Sequence, residues 1–254
     1  MASQKTEILY GFHPVHEALR ANRRKIHALL VRKGRQDDRI TAIRKLAKAQ
    51  GLTVQRVEDQ QLADMADRDG HQGVCARVTP LPFSDLSEVM GPADSPSGAP
   101  FVVLLDNLQD PHNMGAIIRT AYCAGVDGIV IPQDRSAAPR PSVSKASAGA
   151  LEHMPIARVP NLVNAVRQLK KNGLWIVGLE GSAEQSLFDC DLKIPLGLII
   201  GGEERGLRPL VSRHCDFLVS IPHARAFNSL NASVAAALAI FEAYRQKSQL
   251  GGDL

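Results

Sequence analysis

The sequence predicts an α/β protein, on three observations. Short apolar runs alternate with helical patterns, which favours a mostly parallel sheet covered by helices. Runs such as Phe101–Leu105 are apolar without interruption, as expected of strands buried on both faces. A stretch with five of the chain's 15 prolines, residues 79–100, divides a small front unit from a larger back one.

Residues 1–78 read as the small α/β unit. Gly11-Phe12-His13-Pro14 is a turn, and Pro14 can occupy the first turn of a helix whose apolar face is Val15, Ala18 and Leu19. Ile26–Val31 is a strand. Asp37–Ala49 carries Ile40, Ile43, Leu46 and Ala47 at helical spacing and stops at Gly51. Leu52-Thr53-Val54 starts a strand, a short helix covers Gln60–Met65, and Gly73–Val78 is the last strand. In the linker, Phe83, Leu86 and Val89 are the residues able to pack.

Residues 101–254 read as the second domain. Strand Phe101–Leu105 leads through a polar loop, 106–115, into a helix at Ala116–Ala121. Strand Gly128–Pro132 follows. Asp134–Gly149, rich in Ser, Ala and Arg, reads as a mobile loop entering a small-residue helix. Strand Ile156–Val159, helix Leu162–Lys171 and strand Trp175–Leu179 alternate after it. The chain then turns on Leu196–Arg245: a strand ending in Gly201-Gly202-Glu203-Glu204, a short run Phe217–Pro222, and a helix opened by Asn228–Ala235. Two strand ends and a helix start make a ligand site, because ligands gather at the carboxyl ends of strands and a helix N-terminus offers free N–H groups. Gly201 and Gly202 let backbone approach a ligand, and Ser229 and Asn231 are both good caps; ordinary turns and caps have the same composition.

Composition narrows the function. The chain has 254 residues, 44% hydrophobic and 22% charged, an ordinary globular make-up. The longest apolar run, Val234–Phe241, is far short of the ~20 residues of a membrane span. With no signal-peptide pattern at the front, the expectation is a cytoplasmic protein. Cys75, Cys123, Cys190 and Cys215 form no C-x-x-C pair and the histidines show no ligand spacing, so reduced thiols and no metal site are expected. Net charge is +4, but residues 1–80 hold 15 Lys+Arg against 9 Asp+Glu, and the remainder holds 15 against 17. The front excess, Arg20, Arg23, Arg24, Lys25, Arg32, Lys33, Arg35 and Arg39, fits either a polyanion partner or a solvated surface. No G-x-G-x-x-G follows a strand, and Leu207 stands where a P-loop needs lysine, which disfavours dehydrogenases and P-loop NTPases.

The 106–119 segment supplies an amide, Asn113, just before a helix and Arg119 on its second turn. Among Ile117, Ile118 and Ala121 that arginine reads as a buried cation needing an anion, or as a surface arginine in a salt bridge.

Together these segments resemble a known family. Asp106-Asn107-x-x-Asp110-Pro111-x-Asn113-x-Gly115-x-x-x-Arg119 looks like motif 1 of the SpoU (TrmH) RNA ribose methyltransferases. Ile200-Gly201-Gly202-Glu203-x-x-Gly206-Leu207 looks like motif 2. Ile221-Pro222 with Ser229-Leu230-Asn231-x-Ser233-Val234-Ala235 looks like motif 3. Tyr10-Gly11-x-x-x-Val15-x-Glu17-Ala18-Leu19 resembles the L30e-like substrate-binding domain of the subgroup acting on guanosine of large-subunit rRNA.

The resemblance implies a SPOUT-type α/β domain with a trefoil knot, a homodimer meeting at the knot, and S-adenosyl-L-methionine as cofactor. It implies methyl transfer to an RNA ribose 2′-hydroxyl, with rRNA favoured over tRNA. A tRNA methyltransferase or a non-catalytic RNA-binding protein of the same fold are the alternatives. By the same resemblance Leu179, Ile200, Gly201, Gly202, Ile221, Pro222, Leu230, Asn231 and Ala232 hold the cofactor, and Arg119, Asn113, Glu203, Ser229 and Asn231 serve catalysis. Arg20, Arg23, Arg24, Lys25, Arg32, Lys33 and Arg35 contact RNA. Arginine stays charged in proteins, so Arg119 is better suited to holding a phosphate and a developing alkoxide than to acting as a base. The alanines at 235–237, 239 and 243 would allow close helix approach in the dimer, though helix propensity alone also explains them. The sequence departs from the family at His223–Asn228, where glycine and small residues are usual; the added bulk would narrow the cofactor pocket, or Arg225 would contact RNA, and either leaves cofactor affinity and substrate open.

Overall fold

The computed structural model describes residues 5–66, 70–91, 99–134, 136–203, 206–225 and 229–248. They form two compact units, the first made of residues up to Pro82 together with Ala138–His153, the second of Phe83–Ala137 and 154 onwards. In chain order the elements begin with β1 (Glu7–Tyr10), α1 (Phe12–Ala21), β2 (Ile26–Arg32), α2 (Asp38–Ala49), β3 (Val54–Val57), α3 (Asp59–Met65) and β4 (Val74–Val78). Next come β5 (Phe101–Asp106), α4 (Pro111–Cys123), β6 (Gly128–Pro132), α5 (Pro141–Ala146), β7 (Ile156–Val159), α6 (Leu162–Lys171) and β8 (Trp175–Leu179). The last are β9 (Gln185–Ser186), β10 (Leu196–Gly201), α7 (Pro209–Ser212), β11 (Phe217–Ser220) and α8 (Ala232–Ser248).

The first unit is a four-stranded sheet in the order β1-β4-β2-β3, antiparallel except for the β2–β3 pair. Leu9, Leu29, Val31 and Val74 pack against Val15 and Leu19 of α1 and Ile40 and Ile43 of α2. The apolar spacing read from the sequence is thus the spacing buried. Asp37 caps α2 by accepting from the Ile40 N–H at 2.9 Å. Burial raises the Glu17 carboxyl, but hydrogen bonds from His16 and His153 outweigh it and hold the group below the usual carboxylate range.

The unit does not end at Val78. Residues 138–153, which overlap the Asp134–Gly149 stretch read as a mobile loop entering a small-residue helix of the second domain, complete it instead. The reason is a buried ion pair: Arg24 places Nε 2.8 Å and Nη2 3.2 Å from the Glu152 carboxylate, while its Nη1 reaches Glu7 at 2.7 Å. Ser144 Oγ donates to the same Glu152 carboxylate at 2.7 Å. Arg24 therefore leaves the predicted RNA-binding cluster; its side chain is fully buried. Its neighbours in that cluster are exposed or half-buried.

The second unit is a seven-stranded sheet, β7-β6-β5-β10-β8-β11-β9, with every pair parallel. Val102, Leu104, Val130 and Ile199 face one side, against Leu162, Val166 and Leu169 of α6. Val103, Leu105, Leu198 and Ile200 alternate with them and are equally buried, so the continuous apolar runs do mark strands covered on both faces. Of the proline-rich stretch, 83–91 belongs to this unit: Val89 is fully buried in that core with Leu86 beside it, and Phe83 stays exposed under the Arg158 guanidinium. Residues 92–98 lie outside the described residues.

Helix α8 packs on α4 and β10, burying Ala236, Ala239, Ile240 and Ala243. Ala236, Ala239 and Ala243, read as a possible dimer contact, therefore serve packing within the chain. The helix is tied at its far end by Gln246, which donates to the Cys190 carbonyl at 3.0 Å and accepts from the Leu192 N–H at 2.8 Å, and by Lys247, whose Nζ reaches the Ile194 carbonyl at 2.8 Å. Burial pushes the Lys247 ammonium down to about 8. Among the described residues no helix is long and apolar enough to cross a membrane.

Candidate functional site

Strands β10, β8 and β11 are neighbours and end at one side of the sheet. Beyond their carboxyl ends lies a cleft of about 890 Å³. The end of β8 contributes Leu179 and Glu180; β10 and its loop contribute Ile200, Gly201, Gly202, Glu203 and Gly206; β11 and the entry to α8 contribute Ile221, Pro222, His223, Ser229, Leu230 and Ala232. This is the ligand-collecting position of a parallel sheet. Eight of the nine residues assigned to the cofactor line it.

The two glycines of the loop after β10 are dictated by close approach. A Cβ on Gly201 would stand 2.3 Å from the carbonyl carbon of Gly206, and one on Gly202 would stand 2.3 Å from the Asn107 carbonyl oxygen. The loop folds back on itself, with the Gly206 N–H donating to the Gly202 carbonyl at 3.0 Å and Gly206 in the left-handed region at φ 61°. Backbone thus floors the cleft, leaving room for a ligand.

Motif 1 braces this floor from the adjacent strand. Asp106 ends β5, is fully buried, and accepts from Arg208 just beyond the loop. Asn107 then turns left-handed at φ 60°, a conformation asparagine tolerates better than most residues. Asp110 caps α4 by accepting from the His112 N–H at 3.0 Å and the Asn113 N–H at 3.3 Å, with Pro111 at the first helical position. The helix therefore starts five residues earlier than predicted. Asn113 sits in its first turn rather than before it, and there its side-chain amide donates to Glu203. Motifs 1 and 2 are joined through that contact.

Arg119 is exposed, not buried, and has no ion-pair partner among the described residues. It lies six residues beyond Asn113 on α4, roughly 9 Å further along the helix axis. Its guanidinium is free to meet an anion from outside the chain. Asn231, assigned both to cofactor and to catalysis, is the cap the sequence predicted: its Oδ1 accepts from the Ser233 N–H at 2.9 Å and from Ser233 Oγ at 2.6 Å, capping α8. It is absent from the cleft lining, whereas Ser229, the other cap candidate, lines the cleft. Of the departing stretch His223–Asn228, His223 lines the cleft and Arg225 is exposed, while 226–228 lie outside the described residues.

Sequence reasoning missed Glu180 in the cleft and the Asp106–Arg208 pair behind it, while His223 belongs to the stretch it expected to add bulk at the pocket. The pair carried a faint signal, a charged residue ending an otherwise apolar strand. Cys215, packed against Gly178 of β8, is no nucleophile: burial pushes its thiol up to about 12. Among the described residues no three His, Cys, Asp or Glu side chains gather as metal ligands.

In the first unit, Arg20, Arg32, Lys33 and Lys25 are exposed, Arg23 and Arg35 half-buried. Arg20 pairs with Glu17, Arg32 with Asp59, Lys33 with Glu58 and Arg35 with Asp37. Surface pairs of this kind hold together by about 0–1 kcal/mol, so a phosphate can displace the carboxylate.

The cleft has the size and backbone lining to hold an adenosine-sized group. Known proteins match this arrangement. A model of the SpoU rRNA methylase family matches residues 100–241, and a model of the RNA 2′-O ribose methyltransferase substrate-binding domain matches residues 8–84. An uncharacterised tRNA/rRNA methyltransferase of Synechocystis is 42% identical over 97% of this chain, which spans 64% of that relative's length. The 23S rRNA (guanosine-2′-O-)-methyltransferase RlmB of Xanthomonas axonopodis is 39% identical over 96% of this chain and 98% of its own. The crystal structure of the SpoU methyltransferase AviRb from Streptomyces viridochromogenes in complex with AdoMet superposes with a TM-score of 0.80 at 27% identity, covering 96% of this chain and 91% of that one. With a family model matching more than half of its length, this chain belongs to the SpoU rRNA methylase family.

Proposed function

We propose that the protein transfers a methyl group from S-adenosyl-L-methionine to the ribose 2′-hydroxyl of a guanosine in large-subunit rRNA. The observation that carries this reading is the cleft itself, where backbone after β10, β11 and β8 meets the start of α8 and the Asn113–Glu203 contact at its edge. The RlmB name of a relative matched end to end supports the guanosine and the rRNA.

Leu179, Ile200, Gly201, Gly202, Ile221, Pro222, Leu230 and Ala232 would hold the cofactor. When bound, it supplies a methyl group on a sulfonium, already activated for transfer. The chain's own task is placement. Asn113 fixes the direction of the Glu203 carboxylate. Ser229 offers a hydroxyl at the entry to α8. Arg119, charged and unpaired among the described residues, holds the phosphate next to the reacting ribose and stabilises charge developing on the 2′-oxygen. The exposed cations of the first unit bind the RNA further away, and that binding weakens with salt.

The protein acts in the cytoplasm as a homodimer whose C-terminal segment is knotted. The dimer has support on α8, where Val234, Leu238, Phe241 and Tyr244 are 38–48% exposed on the face turned away from the buried alanines. Tyr122 of α4 is exposed to a similar degree. Large apolar side chains on an open helix face mark a contact surface, and a second copy of the same face is a self-complementary occupant.

Incubation with labelled S-adenosyl-L-methionine and either unmodified large-subunit rRNA or tRNA, followed by digestion to nucleosides, tests the reading. Label is expected as 2′-O-methylguanosine from rRNA. Label only in tRNA overturns the substrate, and label in neither overturns the activity.

A further inference from the structure

Glu180 stands out in the cleft. It follows the last residue of β8, and its backbone N–H donates to the Val219 carbonyl at 2.9 Å, which anchors it over the neighbouring strand. Its carboxylate oxygens lie 3.6 and 3.9 Å from the point where a Cβ on Gly206 would stand, so they face the turn that closes the floor. The residue is half-buried and lines the cleft. Among the described residues its carboxylate has no hydrogen bond and no ion pair.

Other shielded carboxylates in this protein do have partners. Asp106 has Arg208, Glu152 has Arg24, Asp216 has Lys170, and Glu17 has two histidines. In the cleft the second acid, Glu203, is engaged by Asn113. The described cleft-lining residues include no lysine and no arginine. A half-buried carboxylate left without a counter-charge is costly unless a cation arrives with the ligand.

We propose that Glu180 is the residue through which the cleft reads the charge of its cofactor, favouring the sulfonium of S-adenosyl-L-methionine over the neutral thioether of S-adenosyl-L-homocysteine. This rests on the cofactor assigned under the proposed function. The two molecules differ by one methyl group and one positive charge. In the transfer the ribose oxygen forms a bond to the methyl carbon, the sulfur keeps the electron pair of the broken C–S bond, and the hydroxyl proton passes to solvent. The charge that Glu180 holds therefore disappears as the product forms. The spent cofactor is released more readily than the fresh one binds, which favours turnover. A unit charge about 6 Å away in a medium of effective dielectric about 40 changes affinity by about tenfold.

Isothermal titration of the full-length protein without RNA, using S-adenosyl-L-methionine and S-adenosyl-L-homocysteine separately, tests this on the wild type and on Glu180→Gln. The wild type is expected to prefer the methylated form by about tenfold. Glu180→Gln should weaken that form by about tenfold and leave the demethylated form within about twofold. Equal weakening of both overturns the proposal, because it would place Glu180 on the ribose or the amino group they share. No change in either overturns it as well. Sinefungin, an analogue bearing a protonated amine in place of the methylated sulfonium, provides a measurement that needs no variant. It should bind the wild type about as tightly as S-adenosyl-L-methionine, and binding no tighter than the thioether would overturn the charge reading. A wild type that binds none of the three refutes the cofactor assignment itself.

Discussion

The carboxylate of Asp106 receives both the backbone N–H and the Nε of Arg208, at 2.8 and 2.6 Å, from a residue 102 positions away. Asp106 is fully buried and Arg208 is 37% exposed on its side chain. Losing the carboxylate leaves a buried N–H unpaired and frees the segment after the cleft floor. Asp106→Ala is expected to cost about 2–3 kcal/mol, at the low end for a buried pair because Arg208 keeps access to water. Urea unfolding measures the cost, and a midpoint unchanged from wild type would show that the pair holds nothing.

Gly202→Ala should be far more damaging to binding than to folding. The added methyl meets a backbone carbonyl, which cannot swing aside as a side chain can. Cofactor affinity is expected to fall by at least about tenfold, the loss of one good contact, while the far-UV circular dichroism is retained. Wild-type affinity in calorimetry would show that the loop moves freely.

Arg119→Ala and Arg119→Lys separate placement from binding. Arg119 is outside the cleft lining, so both variants should keep cofactor affinity within about twofold of wild type. Both should lose methyl transfer to RNA, the alanine variant by about 100-fold or more, since a guanidinium fork grips phosphate in a way an ammonium does not. Near-normal single-turnover rates with intact circular dichroism would remove Arg119 from the chemistry.

Leu238→Arg places a charge in the centre of the exposed apolar face of α8 without touching its buried alanines. Light scattering is expected to give a dimer for the wild type and a monomer for the variant. A dimer that persists in the variant would move the interface elsewhere.

Lys247 makes stability depend on pH in an unusual direction. Its ammonium is held down to about 8, below the 10.5 of an ordinary lysine, by burial. Between those values the unfolded chain binds the proton and the folded chain does not. Stability therefore rises with pH through that window, by the amount that burying the charge costs near neutrality. The difference in unfolding free energy between wild type and Lys247→Met should shift in favour of wild type from pH 7.5 to pH 10. A flat difference would mean the ammonium is well solvated.

Much of this was legible before any coordinates. Continuous apolar runs announced the parallel strands, and glycines and caps at the ends of β10 and α8 announced a ligand site. The start of α4 was misread because Asp110 and Pro111 have loop-like composition, although as cap and first helical residue they are what begins the helix. Asn231 was read from its residue type as a good cap, which the 2.6 Å bond to Ser233 Oγ bears out, and was assigned to the ligand by the family resemblance alone. Glu180 belongs to no motif and was visible only once the strand ends came together. The ownership of residues 138–153 was beyond reach, since it depends on Arg24 meeting Glu152 from 128 positions away.

That last pair changes how the protein must be made. The first unit is not the first stretch of chain to be complete, for its residues Ala138–His153 follow β5, α4 and β6 in the chain. On the ribosome, Arg24 must wait for Glu152 while its earlier anchors among the described residues are Glu7 and the Thr79 carbonyl. A fragment cut at the end of the substrate-binding match, residue 84, would lack Glu152 and leave the buried Arg24 paired with Glu7 alone among the described residues. The two units are therefore not separable modules in the order of translation, and the first reaches its final form only after two of the seven strands of the second sheet, β5 and β6, have been made.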